Sequence, residues 1–303
     1  FISHPPAPAV PIRPIHPYAL EKLISHVSKS QVAIDGILPP TPNFNSYIVS
    51  YNSDGNKVFA LMEVPKSGKP SRGWPVLVLN HGHIAPDIYS TVNSYKNTSA
   101  YFASNGFLVL KPDFRGHDKS TGTIDELVSH SQYAIDVLNL IASLDSIPAA
   151  DSQRVYLYGH SMGADVSLLV VETGIPLKAV ALWAPAVAIY PENLTYFVEK
   201  RIVPVPSGRL DKLRQLLAAQ TSAYGTLPFS SFQNLSKVKV PLLIQHSPTD
   251  TIVPYSWGQD LLTGLQNNNP DVTFTSYPDD DHNLSKHFSA ALSQDIDFFN
   301  RHP

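Results

Sequence analysis

Five short and almost unbroken apolar runs, VLVLN, FLVLK, VYLYG, VALW and PLLIQ, recur along the chain with longer helical stretches between them. A strand covered on both faces needs such a run, because neither of its sides meets water. With their flanks, the strand candidates are Ser46–Tyr51, Lys57–Val64, Val76–Asn80, Phe107–Pro112, Val155–Gly159, Lys178–Trp183, Pro241–Gln245 and Val272–Tyr277. The first two flank the turn-forming Asn52-Ser53-Asp54-Gly55 and read as an antiparallel hairpin. Ala134, Val137, Leu138, Ile141 and Leu144 keep the i, i+3, i+4, i+7 spacing of an amphipathic helix. Further helices are expected near 98–105, after Ser161, and over 255–265 and 285–299. Strands alternating with helices predict an α/β fold: a mostly parallel, twisted sheet of about eight strands flanked by helices, with right-handed crossovers.

Two segments stand outside that rhythm. The first seventeen residues, FISHPPAPAVPIRPIHP, hold six prolines and no period, so residues 1–45 are expected to be a proline-rich arm and lead-in, with the domain at 46–303. The chain begins at Phe1 and shows no basic-then-apolar leader. A secreted chain already freed of its signal and a cytoplasmic one both remain open. The interval from Pro185, after the sixth expected strand, to Pro241 is longer than one crossover helix requires. It reads as a cap inserted at about 186–240, with one helix through Leu210, Leu213, Leu216 and Leu217. It leaves the sheet at a strand's carboxyl end, where ligands of open sheets bind.

Composition narrows the chemistry. Lys and Arg number 22 against 25 Asp and Glu, which argues against a nucleic-acid partner and its basic stripe. No segment has the roughly 20 unbroken apolar residues of a membrane helix. With no cysteine, a thiolate nucleophile and a cysteine zinc site are excluded. No cofactor or metal is expected, and the His81-Gly82-His83 pair is a poor ligand set at a strand end. The oligomeric state is left open.

Gly159-His160-Ser161-Met162-Gly163 lies between strand VYLYG and the apolar helical run ADVSLLVV. In that strand–turn–helix context G-x-S-x-G is a nucleophile elbow, which lifts the Ser161 hydroxyl out at the top of the sheet. A serine needs a base to take its proton, and the base should come from a later loop at the same sheet edge. Asp250 follows strand PLLIQ and His282 follows strand VTFTSY, so Ser161, Asp250 and His282 are the expected triad. Asp279, Asp280 and Asp281 read as a solvated acidic turn, His246 as a packing residue, and His160 as too close to Ser161 to be its base.

With these blocks in order, VLVLNHGH at 76–83, DFRGHDKS at 113–120, GHSMG at 159–163, SPTDTIVP at 247–254 and DDHNLS at 280–285, the chain resembles an α/β-hydrolase. The resemblance covers roughly Ser46 to Phe299 and points to the prolyl-oligopeptidase-like branch, near stand-alone esterases of the cinnamoyl and feruloyl type. It implies an oxyanion hole made by the backbone N–H groups of His83 and Met162, with His81 and Gly82 shaping the loop. It also implies a structural role for Asp113 and Arg115, expected as an ion pair beneath the site; Asp118 replaces that block's second glycine, so the local turn should differ.

Peptidases of this resemblance usually carry a large N-terminal β-propeller, and about 45 residues precede the first expected strand, so none is expected here. That favours a serine carboxylic-ester hydrolase acting on small to medium aryl or alkyl esters, feruloyl-type or polyester substrates included. An aminopeptidase or amidase is the alternative. Trp183, Tyr190, Tyr196, Phe197, Tyr224, Phe229 and Phe232 are expected either to line an acyl pocket or to form the cap's own core. All three triad residues are in place, which argues against an inactive fold used for binding.

Overall fold

A computed structural model describes residues 13–303 except 201, 203–205 and 270. The expected arm therefore lies largely outside the described residues as far as residue 12. The described strands form one nine-stranded sheet: β1 (Ala33–Ile37), β2 (Phe44–Ser53), β3 (Asn56–Pro65), β4 (Trp74–Asn80), β5 (Leu108–Pro112), β6 (Ala150–His160), β7 (Val180–Trp183), β8 (Leu242–His246) and β9 (Val272–Ser276). Their order is β1-β2-β3-β5-β4-β6-β7-β8-β9. The first three strands run antiparallel and β3 meets β5 antiparallel; from β5 onward the sheet is parallel. The hairpin β2–β3 turns through Asp54 (φ 50°) and Gly55 (φ 78°), the two left-handed residues that match the strands' twist.

Helices cover both faces: α1 (Lys96–Ser104), α2 (Ser129–Ala142), α3 (Met162–Glu172), α4 (Glu192–Glu199), α5 (Arg209–Tyr224), α6 (Tyr255–Gln266) and α7 (Phe288–Asn300). One core layer packs α2, α3 and α6 against the sheet, and a second packs α1 and α7 through Phe102, Phe107, Tyr158, Phe298 and Phe299. Among the described residues no helix is long and apolar enough to cross a membrane.

The sheet has one strand more than expected, and the extra one, β1, lies inside the supposed lead-in. Its sequence, AIDGI, forms an edge strand that is exposed at most positions, so it has no apolar run to betray it. The preceding segment is also part of the fold. Leu20 and Leu23 are buried in the main core. The N–H groups of Ser28, Ser30 and Val32 donate to Asn139 Oδ1 (2.7 Å), Ser143 Oγ (2.9 Å) and Ser146 Oγ (2.9 Å). Side chains at the end of α2 thus stand in for a strand partner.

Between β7 and β8 lies a helical insertion built on α4 and α5. Leu213 and Leu217 of α5 bury against Val198, Tyr190 and Phe229. Asp165, in the first turn of α3, anchors both ends of it: the carboxylate accepts Asn193 Nδ2 (3.2 Å) and the Ser231 hydroxyl, together with His130 Nδ1 (2.6 Å).

Asp113 and Arg115 are buried, as scaffold residues should be, but they do not pair with each other. Arg115 spans Asp136 (Nη2–Oδ1 2.8 Å) and Asp54 (Nη1–Oδ2 3.3 Å), tying α2 to the hairpin turn. Asp113 instead accepts the hydroxyls of Tyr89 (3.1 Å) and Thr91 (2.5 Å), beside the buried Lys111. Phe114 between them takes a left-handed conformation (φ 62°), so the segment is not extended there and the two side chains go to different partners. Asp118 does take the left-handed conformation of the glycine it replaces (φ 48°), and its Oδ2 accepts Thr91 N–H (2.9 Å). Asp136→Ala would leave a guanidinium that is 2% exposed with only Asp54 as a carboxylate partner, so the unfolding free energy should fall by about 3–5 kcal/mol in a denaturant titration. A loss below about 1 kcal/mol would show that the pair contributes little.

Candidate active site

The carboxyl ends of the parallel strands make one row, with Asn80 beside Gly159, His160 beside Trp183, Trp183 beside Gln245 and His246 beside Ser276. Every expected site residue sits on a loop leaving that row. Ser161 joins β6 to α3 with φ 56° and ψ −119°, a strained conformation for a residue with a side chain. Two glycines permit the turn. A Cβ on Gly163 would overlap the Asn80 carbonyl, and one on Gly159 would come within 2.6 Å of Ser167 Oγ. The strained serine is held by its own backbone: its N–H donates to the Trp183 carbonyl (2.9 Å), and its carbonyl accepts Ala164 N–H (3.0 Å) and Ala186 N–H (3.1 Å).

Asp250 and His282, 32 residues apart in sequence, meet with His282 Nδ1 2.7 Å from Asp250 Oδ2. Burial works against the charge on Asp250. The donors His246 and His282, the charge of His282 and the Ile252 N–H outweigh it and hold the carboxyl well below the usual range. The carboxylate therefore stays ionised and orients the His282 ring.

His83 is exposed on the loop after β4, and Met162 is the first residue of α3, where backbone N–H groups lack helical partners. The loop is pressed onto the elbow: a Cβ on Gly82 would lie 2.7 Å from Tyr95 Oη and 3.2 Å from Ser161 Cβ. Gly82 thus brings the loop that carries His83 against Ser161, and Met162 follows the serine directly in the chain.

Four residues were given lesser parts or none by the sequence. His246 does more than pack: its Nε2 lies 3.0 Å from Asp250 Oδ2. The His160 ring lies against that of His282, centroids 4.7 Å apart and planes tilted by 46°. Burial first, and then the charge of His282, push His160 down to about 3, so it is neutral. Its hydrogen bonds then have one direction. Gly82 N–H donates to Tyr95 Oη (2.8 Å), the Tyr95 hydroxyl donates to His160 Nδ1, and His160 Nε2–H donates to the His282 carbonyl (3.0 Å). This chain links the oxyanion loop to the loop of the base.

Asp280 corrects the expectation of a solvated acidic turn, since it is 4% exposed. Its carboxylate accepts the N–H groups of Asp281 (2.8 Å), Lys286 (3.1 Å) and His287 (3.0 Å) and the His287 ring (2.8 Å). Its carbonyl accepts the hydroxyls of Ser247 and Thr249, both at 2.7 Å, which joins this loop to that of Asp250. A run of three aspartates could have signalled one that caps the turn, but nothing in the run says which.

The aromatics divide. Trp183 is fully buried and donates Nε1–H to Asp295 (2.9 Å). Tyr190, Phe229 and Tyr224 belong to the insertion's own core, and Phe232 packs on the main core. Tyr196 and Phe197 of α4 remain half-buried against Trp257, in a cluster with Ala186, Ala188, Ile252 and Val253 that adjoins both Ser161 and Asp250. Among the described residues no group of three or more His, Asp or Glu is arranged to hold a metal ion.

An elbow serine, an Asp–His pair from later strand ends and a mostly parallel sheet define an α/β-hydrolase. Comparison with known proteins agrees. Residues 75–224 match the family model described as serine aminopeptidase, S33. The chain has the α/β-hydrolase fold, and the family it matches and its structural neighbours are hydrolases of that fold. It is similar in fold to an acetyl xylan esterase from Paenibacillus sp. R4 (TM-score 0.69, 19% identity, 94% of this chain and 92% of that one). It is also similar to Est1E from Butyrivibrio proteoclasticus with ferulic acid bound (TM-score 0.60, 18% identity, 83% and 99%). By sequence it resembles human Protein ABHD12B (28% identity over 62% of this chain and 49% of that protein). It also resembles rice (Oryza sativa subsp. japonica) acylamino-acid-releasing enzyme 2 (27% over 77% and 30%). The chain thus spans about half or less of the length of these two relatives.

The depressed Asp280 carboxyl carries a pH signature. Burial raises it, but the Lys286 N–H, the His287 ring and the N–H groups of Asp281 and His287 more than offset that. A carboxyl lower in the folded than in the unfolded chain stabilises above the ordinary carboxylate range and loses that contribution as pH falls through its folded value. Asp280→Asn should therefore lower Tm near neutral pH, with the gap to the wild type closing below about pH 4. A gap that is constant with pH would mean that the charge on Asp280 plays no part.

Proposed function

We propose that the chain is a serine carboxylic-ester hydrolase that works through an acyl-enzyme. The observation that carries this reading is the 2.7 Å contact of His282 Nδ1 with the ionised Asp250, on strand-end loops that converge on the elbow of Ser161. With Nδ1–H committed to Asp250, Nε2 of His282 is the atom left to take the Ser161 proton. Ser161 Oγ attacks the ester carbonyl, and the backbone N–H groups of His83 and Met162 receive the oxyanion. The imidazolium of His282 then protonates the leaving alkoxide. A water, deprotonated by the same nitrogen, releases the acid in the second half of the cycle.

The substrate class follows from what borders the serine. Tyr196 and Phe197 over Trp257, with Ile252 and Val253, offer an apolar wall to an acyl or aryl group of small to medium size. The carbohydrate-esterase and ferulate-bound neighbours support the same range. Feruloyl-type and polyester substrates belong to it. The second reading, an amidase or aminopeptidase, is favoured by the S33 family match and by the acylamino-acid-releasing relative.

Turnover of p-nitrophenyl esters of rising chain length, methyl ferulate and an amino-acid anilide, by wild type and Ser161→Ala, separates the two readings. Ester turnover should dominate and fall by about three orders of magnitude or more in the variant. Anilide turnover above ester turnover would move the assignment to the amidase, and activity that survives Ser161→Ala would sink both. If the aromatic wall binds the acyl chain, Phe197→Ala should reduce kcat/KM for the longest preferred ester about tenfold more than for acetate. Equal losses on all esters would make the residue structural only.

A further inference from the structure

Asp250 is bonded more fully than the orientation of one imidazole requires. Oδ1 accepts the N–H groups of Ile252 (2.7 Å) and Val253 (3.0 Å), while Oδ2 faces both His282 Nδ1 (2.7 Å) and His246 Nε2 (3.0 Å). Four donors thus fill about the four lone-pair sites that a carboxylate has. His246, the last residue of β8, is 0% exposed, and among the described residues its Nδ1 has no hydrogen-bond partner. A proton on that buried nitrogen would be left unsatisfied, so the ring carries its proton on Nε2, aimed at Asp250.

The surroundings maintain this arrangement. Tyr255 lies against the ring at 5.3 Å between centroids, and Gly258 of α6 leaves the room that it occupies: a Cβ there would come within 2.7 Å of Nδ1. From β9 the neighbour is the apolar Phe274. The titratable groups around the pair are thus His246 and His282 on the carboxylate, His160 against His282, and Tyr255 on His246.

We propose that His246 is a positioning residue of the acid–base pair: it holds Asp250 by the oxygen that His282 uses and divides that oxygen's charge between two imidazoles, so that His282 releases its proton at lower pH than it would beside an undivided carboxylate. The inference rests on reading Asp250 and His282 as the acid–base pair. A carboxylate oxygen that already accepts one N–H is a weaker acceptor for the next, so the imidazolium of His282 is less stabilised than by a free one. The base is consequently available in its neutral form over a wider pH range. A histidine kept only for its volume would not influence the proton affinity of its neighbour.

The test is an NMR titration of His282 in the full chain with 15N-labelled histidine, in wild type, His246→Leu and His246→Gln, beside the pH profile of ester kcat/KM. Glutamine keeps an N–H donor near the position of Nε2; leucine keeps bulk without it. In His246→Leu the His282 midpoint and the acid limb of kcat/KM should both rise by about half a pH unit or more, and His246→Gln should return most of that shift. Midpoints unchanged in both folded variants would overturn the proposal. Should His246→Leu fail to fold, His246→Phe, which keeps a ring without an N–H, should give the same rise, and an unmoved midpoint there would overturn it as well. If the NMR midpoint shifts while the wild type hydrolyses no ester, the ester reading fails and the link between His246 and Asp250 stands.

Discussion

The contact on which the site depends is the close approach of α3 to the end of β4. Gly163 sits where any side chain would strike the Asn80 carbonyl, so the helix can start directly above the sheet and force Ser161 into its positive-φ turn. Because β4 and β6 pair in parallel with Asn80 beside Gly159, the oxyanion loop and the nucleophile leave the sheet side by side. Gly82 then closes the remaining gap to Ser161 Cβ. Backbone strain at the serine persists because the flanking strand and helix over-determine it.

From that corner the polar contacts spread as a network that joins the loops. The chain from Gly82 through Tyr95 and His160 to the His282 carbonyl ties the oxyanion loop to the base loop. Asp280 ties the base loop to that of Asp250 through Ser247 and Thr249. Asp165, one turn into α3, extends the same scaffold to the helical insertion. Buried networks of this kind rigidify a site when every member is satisfied. Catalytic groups that belong to loops far apart in sequence thereby share one frame.

Much of this was legible beforehand. The Ser161 turn and the pairing of Asp250 with His282 could be read because these residues have chemically distinctive side chains and sit just past apolar runs, in an order that the chain itself displays. The parallel half of the sheet was visible for the same reason: strands covered on both faces leave no polar alternation. What escaped was of a different kind. β1 is an exposed edge strand whose backbone partners come from β2, so its own residues carry little pattern. Arg115 and Asp113 adjoin in sequence yet serve different partners, 21 residues away at Asp136 and 22 away at Thr91. Of seven aromatics around the insertion, Tyr196 and Phe197 cluster with Trp257, Ile252 and Val253, while the side chains of the others fill cores whose geometry no spacing rule describes.

The division has a physical basis. The sequence by itself determined the strand–turn–helix that carries Ser161, the placing of Asp250 and His282 just past strand ends, and the α/β class, since each depends on local conformation or on burial that a short run of residues records. Only the tertiary structure decided that His246 shares the carboxylate with His282, that His160 joins Tyr95 to the His282 carbonyl, and that Asp280 among three aspartates goes inside. Those outcomes depend on which atoms of distant segments come within about 3 Å of one another, and hydrogen-bond direction is settled only when every donor in the neighbourhood has been counted.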